Sequence, residues 1–462
     1  MKKIFYLAFF SLVVVMGFSS CSLKEDDNFD IDASVRAAER IDSVRQILYT
    51  APNGWLMEYY GNLNFGGYNM MVKFDKDQAT IGGEKFALNH FAGLDTEGKA
   101  ITSTSHFKLE QSMGTILSFD GYNDTFHYFS MPNNPDYRYD VADGLYGDFE
   151  FRVMSASADS IILRGKKHNN RIKMTPIPAE QSWESIITSA QETQDFMSAR
   201  SYMLTGADRK DTVDIKVTNN GNFRCLIFEY KDSMEMKQTI AAPYIVKADG
   251  YHFYTPVEVN GMTLDGLERG TSDEHFLFHN NNNLQLDAVI MTVAESFRSY
   301  TWYMVLSDMG DYGKGYWNEM LEKLKKAGPN GTDIKVYTST IGLDENNKLT
   351  VRLTTSLDDE IWNNFSIRKI DENEGKFFTL RHGIKDADFN EAGREYYNTY
   401  GWDKCLWQFF GEKGGGNTFD LECDNVRNPS YIILKDRKNK NNVIRLHSSA
   451  SYFVDREGYY ND

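Results

Sequence analysis

Residues 68–74, YNMMVKF, decide the fold because their side chains alternate between an apolar face and a mixed face. A period of two residues is typical of a half-buried β-strand. The apolar face carries Tyr68, Met70, Val72 and Phe74, and the mixed face carries Asn69, Met71 and Lys73. The pattern therefore predicts a strand with one face in a core and the other towards solvent.

Similar short segments, separated by turn residues, follow this strand without helices between them. One of them, residues 148–153 (DFEFRV), places Phe149, Phe151 and Val153 on a predicted inward face. Short strands in unbroken succession favour an antiparallel meander, either a small barrel or a sandwich. The predicted fold class is mainly β with a few packing helices, in meander domains that are each led by a helix.

Stretches of helical periodicity divide the chain. Residues 32–178 are predicted to form a helix and a β-meander, and residues 181–295 a second unit of the same order. Residues 301–462 are predicted to form a C-terminal β-rich domain with a helix at 315–327. The strands assigned to this last domain include residues 406–410, LWQFF.

The first residues carry an export signature. Residues 1–20 combine Lys2 and Lys3, an apolar run and two small residues, which is typical of a secretory signal peptide. Residues 18–21, FSSC, resemble a bacterial lipobox with phenylalanine in place of the usual leucine, so Cys21 is the predicted site of lipid attachment. The alternative is a secreted protein in which Cys21 is incidental.

Residues 21–31 are predicted to be an acidic tether. The group that follows the cysteine is Lys24, Glu25, Asp26 and Asp27. It resembles the surface-export signal that follows the lipidated cysteine in lipoproteins of the Bacteroidota. That resemblance implies an outer-membrane, lipid-anchored protein that faces the cell exterior, and a solvated linker is the alternative.

The charge balance excludes several partners. The 462 residues contain 50 Lys and Arg against 66 Asp and Glu, a formal net charge of −16 at pH 7. Nucleic acid requires a basic face, so no nucleic-acid partner is expected. The same balance disfavours electrostatic binding to anionic lipid, which leaves the lipid anchor as the predicted contact with the membrane.

Three longer motifs carry a family resemblance. They are TAPNGWLMEYY (residues 50–60), GGYNMMVKF (66–74) and GDFEFRVMSASADSIILRGKKHNNRIKMTPI (147–177). Together they resemble the Bacteroidota lipoproteins grouped as domain of unknown function forty-three hundred and two, over most of the mature chain. The resemblance implies no activity. It implies a position beside outer-membrane uptake systems built from a transporter and its capping lipoprotein.

The most suggestive group of side chains lies in residues 394–413, REYYNTYGWDKCLWQFFGEK. Its aromatic rings beside polar groups are what a sugar or an extended peptide needs, so Tyr400, Trp402 and Trp407 are candidate ligand-binding residues. Trp402 follows Gly401 and is expected to be more exposed than Trp407. Burial of the whole group in a core is the alternative.

No catalytic motif is recognisable. Carboxylates are abundant, but a glycosidase needs two of them at a set separation, which sequence alone does not reveal. We expect no cofactor and no metal site. Cys405 and Cys423 could form a disulfide across the glycine-rich loop between them, although buried free thiols are an equal alternative for these two and for Cys225.

These observations favour a surface-anchored lipoprotein that binds a ligand, such as a glycan or a peptide, or serves as an accessory component of an outer-membrane nutrient uptake system. An enzyme is less favoured. The alternatives are a lipid-anchored hydrolase of glycans, whose carboxylates meet only in the folded chain, and a structural subunit without a small ligand.

Overall fold

The computed structural model describes residues 32–448, except for 88, 133, 135–143, 207–211, 220–222, 271, 273, 344–348, 358–360, 371–376, 382–388 and 413–415. Cys21, Lys24, Glu25, Asp26 and Asp27 lie outside the described residues. The predicted fold class is confirmed: three antiparallel β units follow one another, each with a helix ahead of its first strand.

The N-terminal unit begins with helix α1 (Ala33–Leu48), whose Val44 and Leu48 are buried. Its strands are β1 (Trp55–Tyr59), β2 (Tyr68–Asp75), β3 (Gln78–Gly83), β4 (Thr102–His106), β5 (Lys108–Gln111), β6 (Thr115–Ser118), β7 (Glu150–Ala156), β8 (Ile161–Gly165) and β9 (Arg171–Pro176). They form one sheet in the order β4-β3-β2-β1-β9-β8-β7-β6-β5. Trp55 donates a hydrogen bond from Nε1 to the Leu48 carbonyl at 2.9 Å, which fixes α1 against the sheet.

Residues 68–72 of β2 are buried on both faces, whereas the sequence predicts burial on one face; Lys73 and Asp75 are exposed. Tyr68, Met70, Val72 and Phe74 face the core of the N-terminal unit, as predicted. On the opposite face, Met71 packs against Ile186 and Ile187 of helix α2 (Trp183–Phe196). A helix that precedes the second unit therefore covers the outer face of the first sheet.

The middle barrel follows α2. Its strands are β10 (Ser201–Gly206), β11 (Thr212–Asn219), β12 (Cys225–Lys231), β13 (Lys237–Lys247), β14 (Gly250–Val259), β15 (Met262–Glu268), β16 (His275–Phe278) and β17 (Asn281–Ala288). Each strand pairs with the next, and β10 pairs with β17 to close the barrel. Closure removes both sheet edges, so the meander forms a barrel and not a sandwich.

The C-terminal barrel begins with a short helix that the sequence pattern did not reveal, α3 (Val293–Ser299), capped by Thr292. Its eight strands are β18 (Trp302–Met309), β19 (Val336–Leu343), β20 (Leu349–Thr355), β21 (Ile361–Ile370), β22 (Phe377–Arg381), β23 (Asn417–Cys423), β24 (Tyr431–Asp436) and β25 (Val443–His447). Pairing of β18 with β25 closes this barrel as well.

Helices interrupt this last meander. The predicted helix at 315–327 is α4 (Asp311–Leu324); it ends early because Lys325 is extended and Lys326 has a positive φ of 56°. Residues 406–410 were predicted to be a strand, which is wrong. They lie in α6 (Trp402–Phe410), which follows α5 (Glu391–Glu395) and a π-helical turn (Tyr396–Tyr400).

The N-terminal unit and the middle barrel are joined by a buried ion pair. Arg224 and Glu84 are 6% and 4% exposed, and the pair is bidentate, with N–O distances of 2.5 and 3.0 Å. The guanidinium also donates to the Gly67 carbonyl and the Gln194 side chain, both at 2.9 Å, and lies over the Tyr68 ring. Burial alone would lower the pKa of Arg224, but the Glu84 carboxylate raises it above its ordinary value.

Main-chain hydrogen bonds cross the same boundary. The Gly67 amide donates to the Tyr244 carbonyl at 2.9 Å, and the Arg224 amide donates to the Phe65 carbonyl at 3.1 Å. Gly66 has a φ of 78°, and a Cβ at this position would collide with the Arg224 main chain. The close approach of the two chains therefore requires glycine.

Contacts between the middle and C-terminal barrels are more modest. The Arg200 guanidinium lies 3.7 Å from the centre of the Tyr300 ring, and Ser201 and Tyr300 share a hydroxyl–hydroxyl hydrogen bond of 2.8 Å. Arg427 pairs with Glu274 at 2.9 Å. The Arg427 and Glu274 side chains are 25% and 42% exposed, so this ion pair contributes less stability than the buried pair of Arg224 and Glu84.

We expect Arg224→Met to lower the free energy of unfolding by about 3–5 kcal/mol, because it leaves the Glu84 carboxylate buried without its partner. Urea denaturation of the whole protein would measure the loss. The double variant Glu84→Met, Arg224→Met removes both charges and should be more stable than Arg224→Met alone. As a control, Lys231→Ala breaks an exposed pair with Glu235 and should cost less than about 0.5 kcal/mol. Equal effects of Arg224→Met and Lys231→Ala would contradict the assignment.

Candidate functional site

The aromatic group at 396–410 is part of a core. Trp402 is fully buried, so the expectation that it is exposed and available to a ligand is wrong. Trp402, Cys405, Leu406, Phe409 and Phe410 are all buried at helical spacing along α6, which packs against α4. The period of 3.6 was present in the sequence and favours a buried helix face.

The other two candidates from this group are half-buried. The Trp407 ring meets Tyr316 of α4 edge-on at 5.4 Å, and the Tyr400 ring meets Tyr396 at 5.2 Å. The Tyr400 hydroxyl donates to Glu395 at 3.4 Å. Tyr400, Trp402 and Trp407 are thus brought together by helix packing, with their rings committed to neighbouring side chains.

Of the two alternatives for Cys405 and Cys423, the disulfide is not formed, because both thiols are free. Cys405 is fully buried on α6, where its sulfur lies 3.9 Å from the sulfur of Met320. Cys423 is half-buried on β23, and Cys225 is a free buried thiol on β12. Burial raises the pKa of all three thiols, which disfavours reactive thiolates.

An exposed row of aromatic rings lies instead on the N-terminal unit. Tyr122 is 62% exposed and Phe149 is 40% exposed, so the prediction that Phe149 faces inward is wrong. His127 lies between them: its ring is 5.4 Å from Tyr122 and 5.1 Å from Phe149, with interplanar angles of 33° and 31°. We call Tyr122, His127 and Phe149 the aromatic ladder.

Buried aromatic side chains hold the segment that carries Tyr122 and His127 in position. Phe126 and Phe129 are buried, and each ring lies 5.1 Å from the Tyr59 ring in the core. Phe126 precedes the 3-10 turn His127–Ser130 and Phe129 lies within it, while the His127 ring at the start of the turn is only half-buried. Buried neighbours on both sides of His127 therefore hold the ladder in place without covering it.

The protonation state of His127 follows from its contacts. The Asn123 amide donates to Nδ1 of His127 at 3.2 Å, so this nitrogen is an acceptor and the proton of the neutral ring is on Nε2. Burial lowers the pKa of His127 below its ordinary value. The ladder is consequently uncharged at neutral pH.

Phe149 also lines a cleft of about 280 Å³ next to the ladder. The lining residues are Ser130, Gly147, Asp148, Phe149, Glu150, Lys166 and Lys167. Glu150 accepts hydrogen bonds from the Lys166 ammonium at 3.0 and 3.1 Å, and both side chains are partly exposed. The cleft thus presents the Glu150 carboxylate and the Lys166 ammonium side by side, and Asp148 and Lys167 also line it.

Asp148 shapes this cleft and is itself committed to the main chain. Its two carboxylate oxygens accept hydrogen bonds from the amides of Lys167 and His168, each at 2.9 Å. A Cβ at Gly165 would collide with this carboxylate, so the turn after β8 requires glycine there. Asp148 is a structural residue that holds the Lys166 side of the cleft against the start of β7.

Other kinds of site are less well supported. Within the part of the chain that the structure describes, no group of three or more His, Cys, Asp or Glu residues is placed to hold a metal ion. His275 lies on β16 and pairs with Asp287 of β17. Among the described helices, none is long and apolar enough to cross a membrane.

A model of a known protein family matches residues 25–271 and is described as Domain of unknown function (DUF4302). The chain belongs to this family. The match covers the N-terminal unit and most of the middle barrel, and is therefore shorter than the resemblance expected over most of the mature chain. The DUF4302 match includes the aromatic ladder, the cleft and the Arg224–Glu84 pair.

The other comparisons add little. No curated protein matches the chain. Among solved structures, the β sliding clamp of C. crescentus with polyethylene glycol bound is 10% identical, with a TM-score of 0.12 over 90% of this chain and 96% of that one. A DNA polymerase III β sliding clamp from Bartonella birtlesii is 9% identical, with a TM-score of 0.11 over 90% and 97%. Likeness at these scores carries no argument about fold or function.

We expect Trp402→Ala to lower the free energy of unfolding by about 3–5 kcal/mol, because it leaves a cavity in a packed core. Trp407→Ala, at a half-buried position on the same helix, should cost less. Chemical denaturation of the two variants would measure both effects. A Trp402→Ala protein with an unchanged denaturation midpoint would contradict the assignment of Trp402 to the core.

Burial lowers the pKa of His127, His279 and His447 from 6.5, so folding favours their uncharged rings. Their contribution to stability is present above the unfolded-state pKa of about 6.5 and is lost as the pH falls below it. We expect the urea midpoint to decrease between about pH 7.5 and pH 5.5. The decrease should be smaller in His127→Phe, which keeps a ring that cannot be protonated. Identical pH slopes in the two proteins would contradict this role for His127.

Proposed function

We propose that this chain is a surface-anchored lipoprotein that captures a ligand for an outer-membrane nutrient uptake system. The observation that carries the proposal is the exposed aromatic ladder beside a cleft with paired polar groups. Exposed rings that are held in place by buried neighbours offer apolar contact area at low entropic cost, which is a property of binding surfaces. A purely structural subunit would have no need of such a cleft.

The N-terminal sequence supports the anchored part of the proposal. The lipobox-like FSSC places a lipid on Cys21, and the acidic group Lys24 to Asp27 is of the kind that directs lipoproteins to the outer surface. Two or three acyl chains hold a protein on a membrane almost irreversibly, since each buried methylene contributes about 0.8 kcal/mol. Capture close to a transporter would then need only a local transfer of the ligand.

A glycan hydrolase is not favoured by the acids of the cleft. Hydrolysis of a glycosidic bond requires one carboxyl group as acid and a second as nucleophile or base, on opposite sides of the bond. Here Asp148 accepts two main-chain amides, and Glu150 is paired with Lys166. Asp148 and Glu150 are two positions apart in the chain, and both carboxylates already have hydrogen-bonding partners. We therefore propose that the cleft binds its ligand without hydrolysing it.

Affinity purification of the tagged protein from mildly solubilised native outer membranes would test the proposal, with mass spectrometry of the proteins recovered. We expect an outer-membrane transporter and its capping lipoprotein. The matched control is Cys21→Ser, which cannot be lipidated and should recover neither.

Recovery of the wild-type protein alone, from cells in which it is abundant and accessible to protease added outside, would overturn the uptake role. Wild-type protein that is neither lipidated nor exposed at the surface would overturn the anchored part of the proposal.

A further inference from the structure

The aromatic ladder and the cleft meet at one side chain. The Phe149 ring packs against His127 at a tilt of 31° and Phe149 also lines the cleft, so a ligand in the cleft can also contact the ladder. One ligand would therefore contact both the ladder and the cleft, and its chemistry must suit both. The inference that follows rests on the proposed capture function and names the class of ligand.

The ladder calls for a ligand with a flat apolar face. Tyr122 and Phe149 expose 62% and 40% of their surface, and burial favours the uncharged form of His127 between them by lowering its pKa. The C–H face of a pyranose ring packs well on such rings, because it is flat, apolar and rigid. An aliphatic chain would also pack there, but it could not form hydrogen bonds with the polar groups of the cleft.

The polar groups of the cleft favour a ligand that carries hydroxyl groups. Glu150 offers acceptor oxygens and Lys166 offers donor hydrogens about one hydrogen bond apart, and their side chains are 31% and 40% exposed. Two neighbouring hydroxyls of one sugar can bond to such a pair, one donating to the carboxylate and the other accepting from the ammonium. The cleft is lined by two acidic residues, Asp148 and Glu150, and two basic ones, Lys166 and Lys167, so its formal charges balance. An anionic ligand therefore gains little at this site and meets a chain of net charge −16.

An extended peptide fits the surroundings less well. Peptides are commonly bound as an added strand along a free sheet edge. The outer edge of β4, which is close to the ladder, is already engaged: the Asn123 side chain donates to the Ser103 carbonyl at 3.0 Å, and the Gly121 amide donates to the His106 carbonyl at 3.2 Å. These two contacts occupy carbonyls that an added strand would need, which disfavours strand addition by a peptide at this edge.

We propose that the ladder and cleft bind a neutral oligosaccharide, with its sugar rings packed on the exposed Tyr122 and Phe149 rings and a vicinal pair of hydroxyls on Glu150 and Lys166. No bond of the ligand is broken at this site. The protein holds the glycan through ring stacking and paired hydrogen bonds.

Native affinity electrophoresis of the full lipoprotein in detergent would test this inference. The gels would contain neutral polysaccharides (starch, xylan, galactomannan, laminarin or dextran) or acidic ones (alginate or polygalacturonate). We expect retardation by at least one neutral polysaccharide, and about tenfold weaker binding in Phe149→Ala and Tyr122→Ala. Met154→Ala is the matched control, since Met154 is exposed on the same strand as Glu150 but does not line the cleft.

A charge variant tests the second half of the site. Glu150→Gln keeps the shape of the side chain but leaves Lys166 without a counter-charge, so we expect weaker retardation by the neutral glycan and new retardation by polygalacturonate. Circular dichroism and the thermal midpoint would verify that each variant is folded. Neutral-glycan binding that is unchanged in both Phe149→Ala and Glu150→Gln would overturn the assignment of the site.

The outcomes separate this inference from the capture function. Binding of acidic polysaccharides alone, or of none of the panel, would overturn the neutral-glycan class. Co-purification with the transporter would in that case still support capture of another kind of ligand, such as a peptide. Neutral-glycan binding that depends on Phe149, in a protein that recovers no transporter, would support the ligand class and overturn the uptake role.

Discussion

The buried pair of Arg224 and Glu84 is the constraint on which the arrangement of the first two units depends. Taking two charges out of water is costly, and the cost is offset only when geometry and hydrogen bonding are nearly complete. Here the guanidinium uses its forked donors on Glu84, Gly67 and Gln194 and rests on the Tyr68 ring. Since a displacement of either unit would leave a buried charge unpaired, the two units have one stable relative position.

At the same boundary, helix α2 contacts both the N-terminal unit and the middle barrel. Its first half packs on the outer face of β2 through Ile186 and Ile187, and Gln194 near its end accepts from Arg224. A sheet face that would otherwise be solvated becomes part of a second core. Helix α2 thereby supports the N-terminal unit on the outer face of its sheet. Tyr122 and Phe149 of the aromatic ladder remain exposed to solvent.

Much of the fold could be predicted because it follows from local periodicity. Alternation along β2 and helical spacing along α1 and α2 are properties of neighbouring residues, and each predicts its element directly. The errors arose where a local pattern has two solutions. Residues 402–410 are rich in aromatic residues that suit a strand, yet their spacing also fits a helix, and packing against Met320 and Tyr316 of α4 favours the helix. The short helix α3 has too few residues to show a period.

The candidate site was missed for a different reason. Phe149 alternates with the buried Phe151 and Val153, but it precedes the first residue of β7, so its ring stacks on His127 instead of entering the core. Tyr122 lies among turn residues, in a segment whose sequence alone gives no position relative to Phe149. An exposed tyrosine between Gly121 and Asn123 was the one available signal, and it does not identify its neighbours.

The sequence by itself determined the fold class and the leading helices of the first two units, and it predicts the lipid anchor, since each depends on residues close together in the chain. Only the tertiary structure decided which aromatic groups are buried, that the cysteines are free, and that two distant segments form the ladder. It also decided the pairing of Glu84 with Arg224, whose positions are 140 residues apart. Such features depend on burial and long-range contact, because a side chain's environment is set by what the rest of the chain places against it.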